Sequence, residues 1–368
     1  MSDTCFIKAL DLRRFRSHAA FSRSFDGRPV AIFGPNGAGK TNIIEAISLL
    51  SPGRGLRAAK SEDMAGRPDP IGWAIRATAD TVDGERELAV SIDLRTGGRR
   101  KLTVDEAPVG QAALGEVLRI LWLTPAMDRL WIEGASERRR FLDRTTLAFD
   151  PKHAERSAAY ERAMRERNRL LKEGVFDPSW LDALEAQMAD HGAQIVIARS
   201  KTVDRLRDAQ EGASSAFPRA DIAVVGEDSP AVDDLDATRY RQRLADSRRR
   251  DAAAGRTLFG PHRSDLEAIY KEKSMPAREC STGEQKALLI SLVLATARGI
   301  CAEISAPPIL LLDEVAAHLD EGRRASLYDE IVDLGVQAWM TGTGPELFTA
   351  LGSRAEMLEL ASPDSVAN

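Results

Sequence analysis

Cysteine is scarce in this chain and shows no pairing pattern. Cys5, Cys280 and Cys301 are odd in number and contain no C-x-x-C spacing, and the five histidines show no ligand spacing either. That argues against a zinc site and for a protein of the reducing cytoplasm. Long hydrophobic runs are missing too: none reaches the roughly eighteen residues of a membrane helix, the longest lying around residues 287–297. Met1-Ser2-Asp3-Thr4 does not read as the start of a signal peptide, so no membrane partner is expected. Nor is there a surplus of positive charge. At a net charge of −5 the chain has no general attraction for nucleic acid, and any DNA contact must come from local patches. Arg99-Arg100-Lys101, Arg138-Arg139-Arg140 and Arg248-Arg249-Arg250 are candidates, although such runs are more often solvated faces.

What is present begins with Gly34-Pro35-Asn36-Gly37-Ala38-Gly39-Lys40-Thr41, which follows the apolar run Val30-Ala31-Ile32-Phe33 and precedes the helical pattern Asn42-Ile43-Ile44-Glu45-Ala46-Ile47. A strand, a glycine-rich turn and a helix N-terminus in that order form a phosphate-binding loop, because the glycines let successive backbone N–H groups wrap an anion. The match to G-x-x-x-x-G-K-[ST] is complete. Lys40 is expected to reach the β- and γ-phosphates of ATP as a point charge, and Thr41 to offer its hydroxyl to Mg²⁺.

The composition, 43% hydrophobic and 29% charged over 368 residues, is that of a globular protein with two or more lobes. Phe6 to Phe15 alternates as a half-buried strand, with Phe6, Lys8, Leu10 and Leu12 set against Ile7, Ala9 and Asp11. The helix after the phosphate loop stops at Ser51-Pro52-Gly53, and a basic loop carrying Arg54, Arg57 and Lys60 follows. Strand-like runs at 71–77, 88–94 and 101–104, separated by Asp83-Gly84 and Gly97-Gly98, read as an antiparallel sheet. From Pro151 the chain becomes long, charged and helical. Leu181, Leu184, Met188, His191, Ile195, Ala198 and Thr202 keep a 3-4 spacing, matched loosely by Tyr160, Met164, Arg167 and Leu171. This predicts a short antiparallel helical arm, roughly 30 to 50 Å long at 1.5 Å per residue, in which His191 packs rather than reacts. The expected organisation is a first part of an ATPase head over 1–150, an arm over 151–215, a return to the head over 216–280, a C-terminal head over 281–360 and a disordered tail over 361–368.

Ile309-Leu310-Leu311-Leu312-Asp313-Glu314 sets two carboxylates at the end of a strand with no alternation, as a parallel strand covered on both faces would be. There Asp313 can hold Mg²⁺ and Glu314 can orient an attacking water. Upstream, Cys280-Ser281-Thr282-Gly283-Glu284-Gln285 opens an apolar helix. Alone it is an ordinary cap, with Glu284 supplying first-turn charge. Beside a complete phosphate cradle, it suggests a nucleotide sandwiched between two subunits.

A phosphate loop, a Ser-x-Gly-x-Gln helix, the Leu-Leu-Leu-Asp-Glu strand and Leu319-Asp320, in that order, resemble the ATP-binding cassette ATPases: an α/β head with a mixed sheet. The wide gap between loop and signature, holding a helical arm, is similar to the structural-maintenance-of-chromosomes branch. Phe15-Arg16-Ser17-His18, Arg138-Arg139-x-Phe141-Leu142-Asp143 and Gly260-Pro261-His262-Arg263 closely resemble the RecF family of bacterial recombination mediators. The resemblance implies a weak DNA-dependent ATPase of DNA repair that forms an ATP-dependent homodimer. It also implies binding to double-stranded DNA near gaps and help, with RecO and RecR, in loading RecA. Residue by residue, it implies that Gly34 to Thr41 and, less directly, Arg16 bind nucleotide. Ser281, Gly283 and Gln285 would close from the other subunit, Asp313 serve Mg²⁺, Glu314 polarise water and Asp320 join the dimer contact. Arg54, Arg57, Lys60, Arg138, Arg139 and Arg140 are the candidate DNA contacts. Two departures stand out: Thr341-Gly342-Thr343 occupies the place of the switch histidine, and no Q-loop glutamine lies near 123–127, Gln111 being too early. Slow hydrolysis is therefore expected. The competing reading, the motor subunit of an ABC transporter, is disfavoured because Lys40 and Ser281 stand too far apart; a small-molecule kinase has no use for the segment 281–285.

Overall fold

The computed structural model describes residues 4–66, 71–226, 236–304 and 306–361; all of the expected tail beyond Ala361 lies outside them. In chain order the strands are β1 (Phe6–Phe15), β2 (His18–Ser24), β3 (Val30–Phe33), β4 (Gly72–Thr81), β5 (Gly84–Asp93), β6 (Lys101–Val104), β7 (Ala107–Pro108), β8 (Ile120–Leu123), β9 (Ala220–Val225), β10 (Asp265–Tyr270), β11 (Met275–Pro276), β12 (Ile309–Leu312), β13 (Ala338–Gly342) and β14 (Glu356–Glu359). The helices are α1 (Lys40–Ser48), α2 (Gln111–Val117), α3 (Ala135–Phe149), α4 (His153–Lys172), α5 (Pro178–Glu211), α6 (Ala237–Ala254), α7 (Thr282–Ile304) and α8 (Glu321–Asp333). The chain divides into two compact units, one of Met1–Asp128, Ala209–Pro218 and Lys286–Asn368, the other of Arg129–Asp208 and Arg219–Gln285.

The first unit holds two sheets. One is antiparallel, in the order β2-β1-β4-β5-β6-β7; the other is parallel, in the order β14-β3-β13-β12-β8. A single core joins them, with Leu10 and Leu12 of β1, Ile75 of β4, Ile32 of β3, Trp339 of β13 and Ile43, Ile44 and Ile47 of α1 all fully buried. β12 is buried along its whole length between β8 and β13, which is why its four apolar residues show no alternation. The face assignment of β1 differs from the simple alternation. Ile7, not Phe6, is buried, because the pairing with β4 shifts by one residue between Ile7 and Ala9. A bulge of this kind moves the following side chains to the other face. At the bulge the Gln337 side chain accepts from the Ile7 N–H at 2.9 Å and donates to its carbonyl at 3.2 Å. Helix α7 is long and apolar enough to cross a membrane by composition, but 72% of its apolar window is buried inside the protein.

In the second unit the expected two-helix arm is a three-helix group. Tyr240 and Leu244 of α6 share the core with Tyr160, Leu170 and Leu171 of α4 and Leu181, Met188 and Ile195 of α5. The reason is a charge at a seam position. Arg167 of α4 is fully buried, and its guanidinium donates to Glu185 of α5 at 2.9 Å and to Asp251 of α6 at 2.8 Å, to Thr257 Oγ1 at 2.9 Å and to the Leu244 carbonyl at 2.8 Å. A helical pair alone would leave this guanidinium without Asp251 and the Leu244 carbonyl. Of the segment 216–280, expected to return to the head, residues 219–280 group with the helices: α6 closes over Arg167, and β10 is tied to α3 by the Arg138–Asp265 ion pair. The remaining seam follows the 3-4 spacing, with Leu181, Met188, Ile195 and Thr202 buried.

Removing one partner of a buried ion network leaves the others uncompensated, at a cost of about 3–5 kcal/mol. Arg167→Ala should lose about that much stability in urea denaturation followed by helical circular dichroism, because Glu185 and Asp251 stay buried. A second outcome concerns pH. Burial alone would raise the Asp143 carboxyl, but the Arg199 charge and hydrogen bonds from His153 and Arg199 outweigh it and bring it down to about 2. A carboxyl held below its unfolded value of about 3.9 contributes stability that is present above that value and is lost as pH falls toward the native one. Acid melts of the parent protein should therefore fall more steeply below about pH 4 than those of Asp143→Asn.

Candidate nucleotide site

The carboxyl ends of β3, β13 and β12 form one edge of the parallel sheet, the place where open α/β sheets put ligands. β13 lies between the strand that feeds the glycine loop and the strand that ends in Asp313. Gly39 caps α1 at φ 92°, and a Cβ there would stand 2.6 Å from both Ser17 Oγ and His18 Nε2. Only glycine fits so close an approach at that backbone angle. No side chain caps α1 and no acid lies in its first turn, so its N-terminal N–H groups face outward as an anion site. Lys40 is buried and spans the loop, its ammonium donating to the carbonyls of Gly34 at 2.7 Å and Pro35 at 3.0 Å.

Next to Lys40, Thr41 donates its hydroxyl to Asp313 Oδ1 at 3.0 Å, and Thr341 donates to the same oxygen at 2.8 Å. Thr341 Oγ1 also accepts the Glu314 N–H at 2.9 Å, and Glu314 has φ 53°. A non-glycine residue held in that region is strained, and such strain is concentrated at functional sites. Burial raises the Asp313 carboxyl above its ordinary value, while the two threonine hydroxyls pull it down and Glu314 adds to the rise. The hydroxyl and carboxylate oxygens of Thr41 and Asp313 are the hard donors that suit Mg²⁺. Among the described residues no group of three or more His, Cys, Asp or Glu side chains forms a metal cage. A cation here would depend on these two residues and on substrate phosphates, as Mg²⁺ usually does.

The other expected residues fall as follows. Arg16, at φ 54°, is committed to Glu45 through two hydrogen bonds of 2.9 and 2.7 Å and to the Asp63 carbonyl at 2.7 Å. Glu45 is fully buried in α1 and is also paired with Arg57 at 3.1 Å. Arg57 further donates to Asn42 Oδ1 at 3.1 Å, so the structure draws it beside α1; like Arg54 and Lys60 it is exposed. Ser281 and Glu284 form a reciprocal capping box: Glu284 accepts from the Ser281 N–H and hydroxyl, each at 2.8 Å, and returns its own N–H to Ser281 Oγ at 3.4 Å. Gly283 has open space around it, whereas Gln285 is buried and braces the loop by donating to the Cys280 carbonyl at 2.9 Å. Asp320 caps α8 by accepting the Arg323 N–H at 2.9 Å. Gln111, too early for a Q-loop, accepts the Gly53 N–H at 3.2 Å. Arg138 is paired with Asp265, Arg139 donates to the Ser264 carbonyl, and Arg140 pairs with Glu137. Sequence reasoning did not find the pairing of Arg16 with Glu45 or the bridging part played by Thr341. The acid of α1 and the threonine near the end of β13 were visible, but their partners come from distant segments.

The profile of the family described as "RecF/RecN/SMC N terminal domain" matches residues 6–350. The DNA replication and repair protein RecF of Allorhizobium ampelinum is 49% identical over 366 residues, covering 97% of this chain and 98% of its own. The chain belongs to the RecF family. Two solved structures share the fold. That of the recombination mediator protein RecF-ATPrS in the RecFOR pathway has a TM-score of 0.82 at 23% identity, covering 98% of this chain and 97% of its own. The Smc head domain of Pyrococcus furiosus, with an extended coiled coil and bound to the C-terminal domain of ScpA, has a TM-score of 0.54 at 16% identity over 94% and 92%. RecF membership sets the transporter reading aside, and the head has the fold of RecF and SMC ATPases.

Thr341 offers a direct check on the site. Thr341→Val removes the only described side-chain partner of the Glu314 N–H and should cost about 1–3 kcal/mol in stability. It should lower kcat for ATP far more than it raises KM, while Thr341→Ser keeps both near the parent in steady-state assays.

Proposed function

We propose that this RecF-family chain is an ATP-switched DNA clamp of repair and replication restart. The observation that carries the reading is the cluster of Thr41, Asp313 and Thr341 beside Lys40, which brings the two nucleotide motifs to one sheet edge. The loop Gly34, Pro35, Asn36, Gly37, Ala38 and Gly39 wraps the phosphates of ATP, with every residue except Pro35 able to offer a backbone N–H. Lys40 swings from the loop carbonyls to the β- and γ-phosphates. Thr41 and Asp313 would hold Mg²⁺, which would supply neutralisation of phosphate charge. Glu314, kept in its strained backbone conformation by Thr341, orients the attacking water. Thr341 in place of a histidine leaves the γ-phosphate without an ionisable sensor, in keeping with weak, DNA-stimulated hydrolysis.

Closure of two copies supplies the rest. Ser281 and Gly283 of one copy face the γ-phosphate bound by the other, with Gln285 bracing that loop from within and Asp320 at the contact. The capped start of α7, with Ser281 and Gly283 exposed, supports this. Because ATP binds the closed pair more tightly than open monomers, its binding energy shifts the population toward dimers. Dimerisation assembles a surface for double-stranded and gapped DNA from basic segments including Arg54, Arg57 and Lys60, and binding through phosphates is strongly salt-dependent. RecO and RecR are the proposed partners, with RecA loading downstream, all in the cytoplasm.

The switch is tested by DNA retention with and without ATP. Lys40→Ala should lose the whole ATP-dependent increment, and equal retention by variant and parent would remove the switch. Ser281→Arg should bind ATP yet remain monomeric in light scattering; normal dimerisation would sink the sandwich.

A further inference from the structure

The segments Arg138 to Asp143 and Gly260 to Arg263 take no part in the nucleotide chemistry above. Within the second unit they meet at one cavity of about 230 Å³, whose walls include Arg139 and Asp143 of α3, Ser157 and Tyr160 of α4, Arg199 of α5 and His262. The loop reaches it because residue 260 is glycine: at φ 141°, a Cβ would stand 2.2 Å from the Tyr160 hydroxyl oxygen and 2.7 Å from that of Tyr240. His262 Nε2 donates to the Thr257 carbonyl at 3.0 Å, so Nδ1 accepts from the Tyr160 hydroxyl at 2.8 Å. The imidazole is thereby held as one neutral tautomer.

The charges around this cavity do not cancel. Asp143 is gripped by Arg199 through two hydrogen bonds of 2.8 and 2.9 Å and bonded to His153 at 2.8 Å. Asp265 is committed to Arg138 through two bonds of 2.7 Å. Arg140 pairs with Glu137, and Glu161 with Arg165. Arg139 donates to the Ser264 carbonyl at 2.7 Å and makes no ion pair among the described residues. It is half-buried, and burial together with the positive charges of Arg199 and Arg263 lowers its pKa, outweighing the opposite pull of Asp265 and Asp143. The Ser157 hydroxyl, buried in the same wall, has no hydrogen-bond partner among the described residues.

We propose that this cavity seats a phosphate group of the backbone of bound DNA, held by the Arg139 guanidinium and the Ser157 hydroxyl. The inference rests on the clamp reading and assigns it one contact. An arginine fork matches the oxygens of a phosphate, and a hydroxyl donor beside it can serve another oxygen of the same group. In a chain of net charge −5, such a locally uncompensated cation is where a polyanion gains most.

The test is fluorescence anisotropy of a labelled duplex with saturating ATP across a salt series, for the parent, Arg139→Gln and Ser157→Asp, with melting curves and ATP-dependent sizing alongside. Losing one phosphate contact should reduce the slope of log affinity against log salt by about one, with dimerisation unchanged. Ser157→Asp adds a carboxylate to the cavity that Arg139 also lines, so it should melt no lower than the parent while losing the same contact, which separates an occupied site from a damaged fold. Unchanged slopes in both variants, with an ATP-dependent parent, would overturn this site alone. A parent that retains no duplex would overturn the clamp and the site together. Inorganic phosphate that raises the melting temperature of the parent but not of Arg139→Gln, with duplex slopes unaltered, would assign the cavity to free phosphate and overturn the DNA contact.

Discussion

The candidate nucleotide site depends on one carboxylate oxygen. Asp313 Oδ1 accepts hydroxyl hydrogen bonds from Thr41 and Thr341, so the glycine loop, β12 and β13 are held to a common point at the sheet edge. Burying that carboxylate is unfavourable, and the rise in its pKa records the cost. Two neutral donors reduce the cost without cancelling the charge. The oxygen thus remains available to a cation, which an arginine partner at the same place would not allow.

The same logic, with the opposite outcome, holds the rest of the molecule. Glu45 in α1 and Arg167 in α4 are fully buried charges, and each is met by full counter-charges, Arg16 and Arg57 in the first case and Glu185 and Asp251 in the second. Such pairs are costly to bury and worse to break, so they specify one arrangement of neighbouring elements more than they add stability. In the first unit they tie β1 and the loop after α1 to the helix behind the phosphate loop. In the second they require three helices rather than two.

Much of the geometry of the candidate site was legible because its motifs are local. The glycine loop needs a strand before and a helix after it, and all three are contiguous in sequence. Burial of β12 on both faces left its mark as four apolar residues without alternation. The heptad spacing in α5 likewise gave the buried seam. Where local pattern misled, a non-local cause is found. In β1 the bulge at Lys8 reverses the faces, and the backbone groups it disturbs are met by Gln337, far along the chain. In the helical segment, Arg167 read as a weak seam position because its partners on α6 had no sequence signal.

Sequence alone determined the loop, the carboxylate pair and the capped start of α7, since each is a short stretch whose backbone geometry and chemistry reside in adjacent residues. Only the tertiary structure decided which charges are spent. Among Arg138, Arg139 and Arg140, identical in the sequence, two find carboxylates and one does not. The choice is made by strands and helices brought together in space, because electrostatic compensation depends on distance between groups and not on their order along the chain.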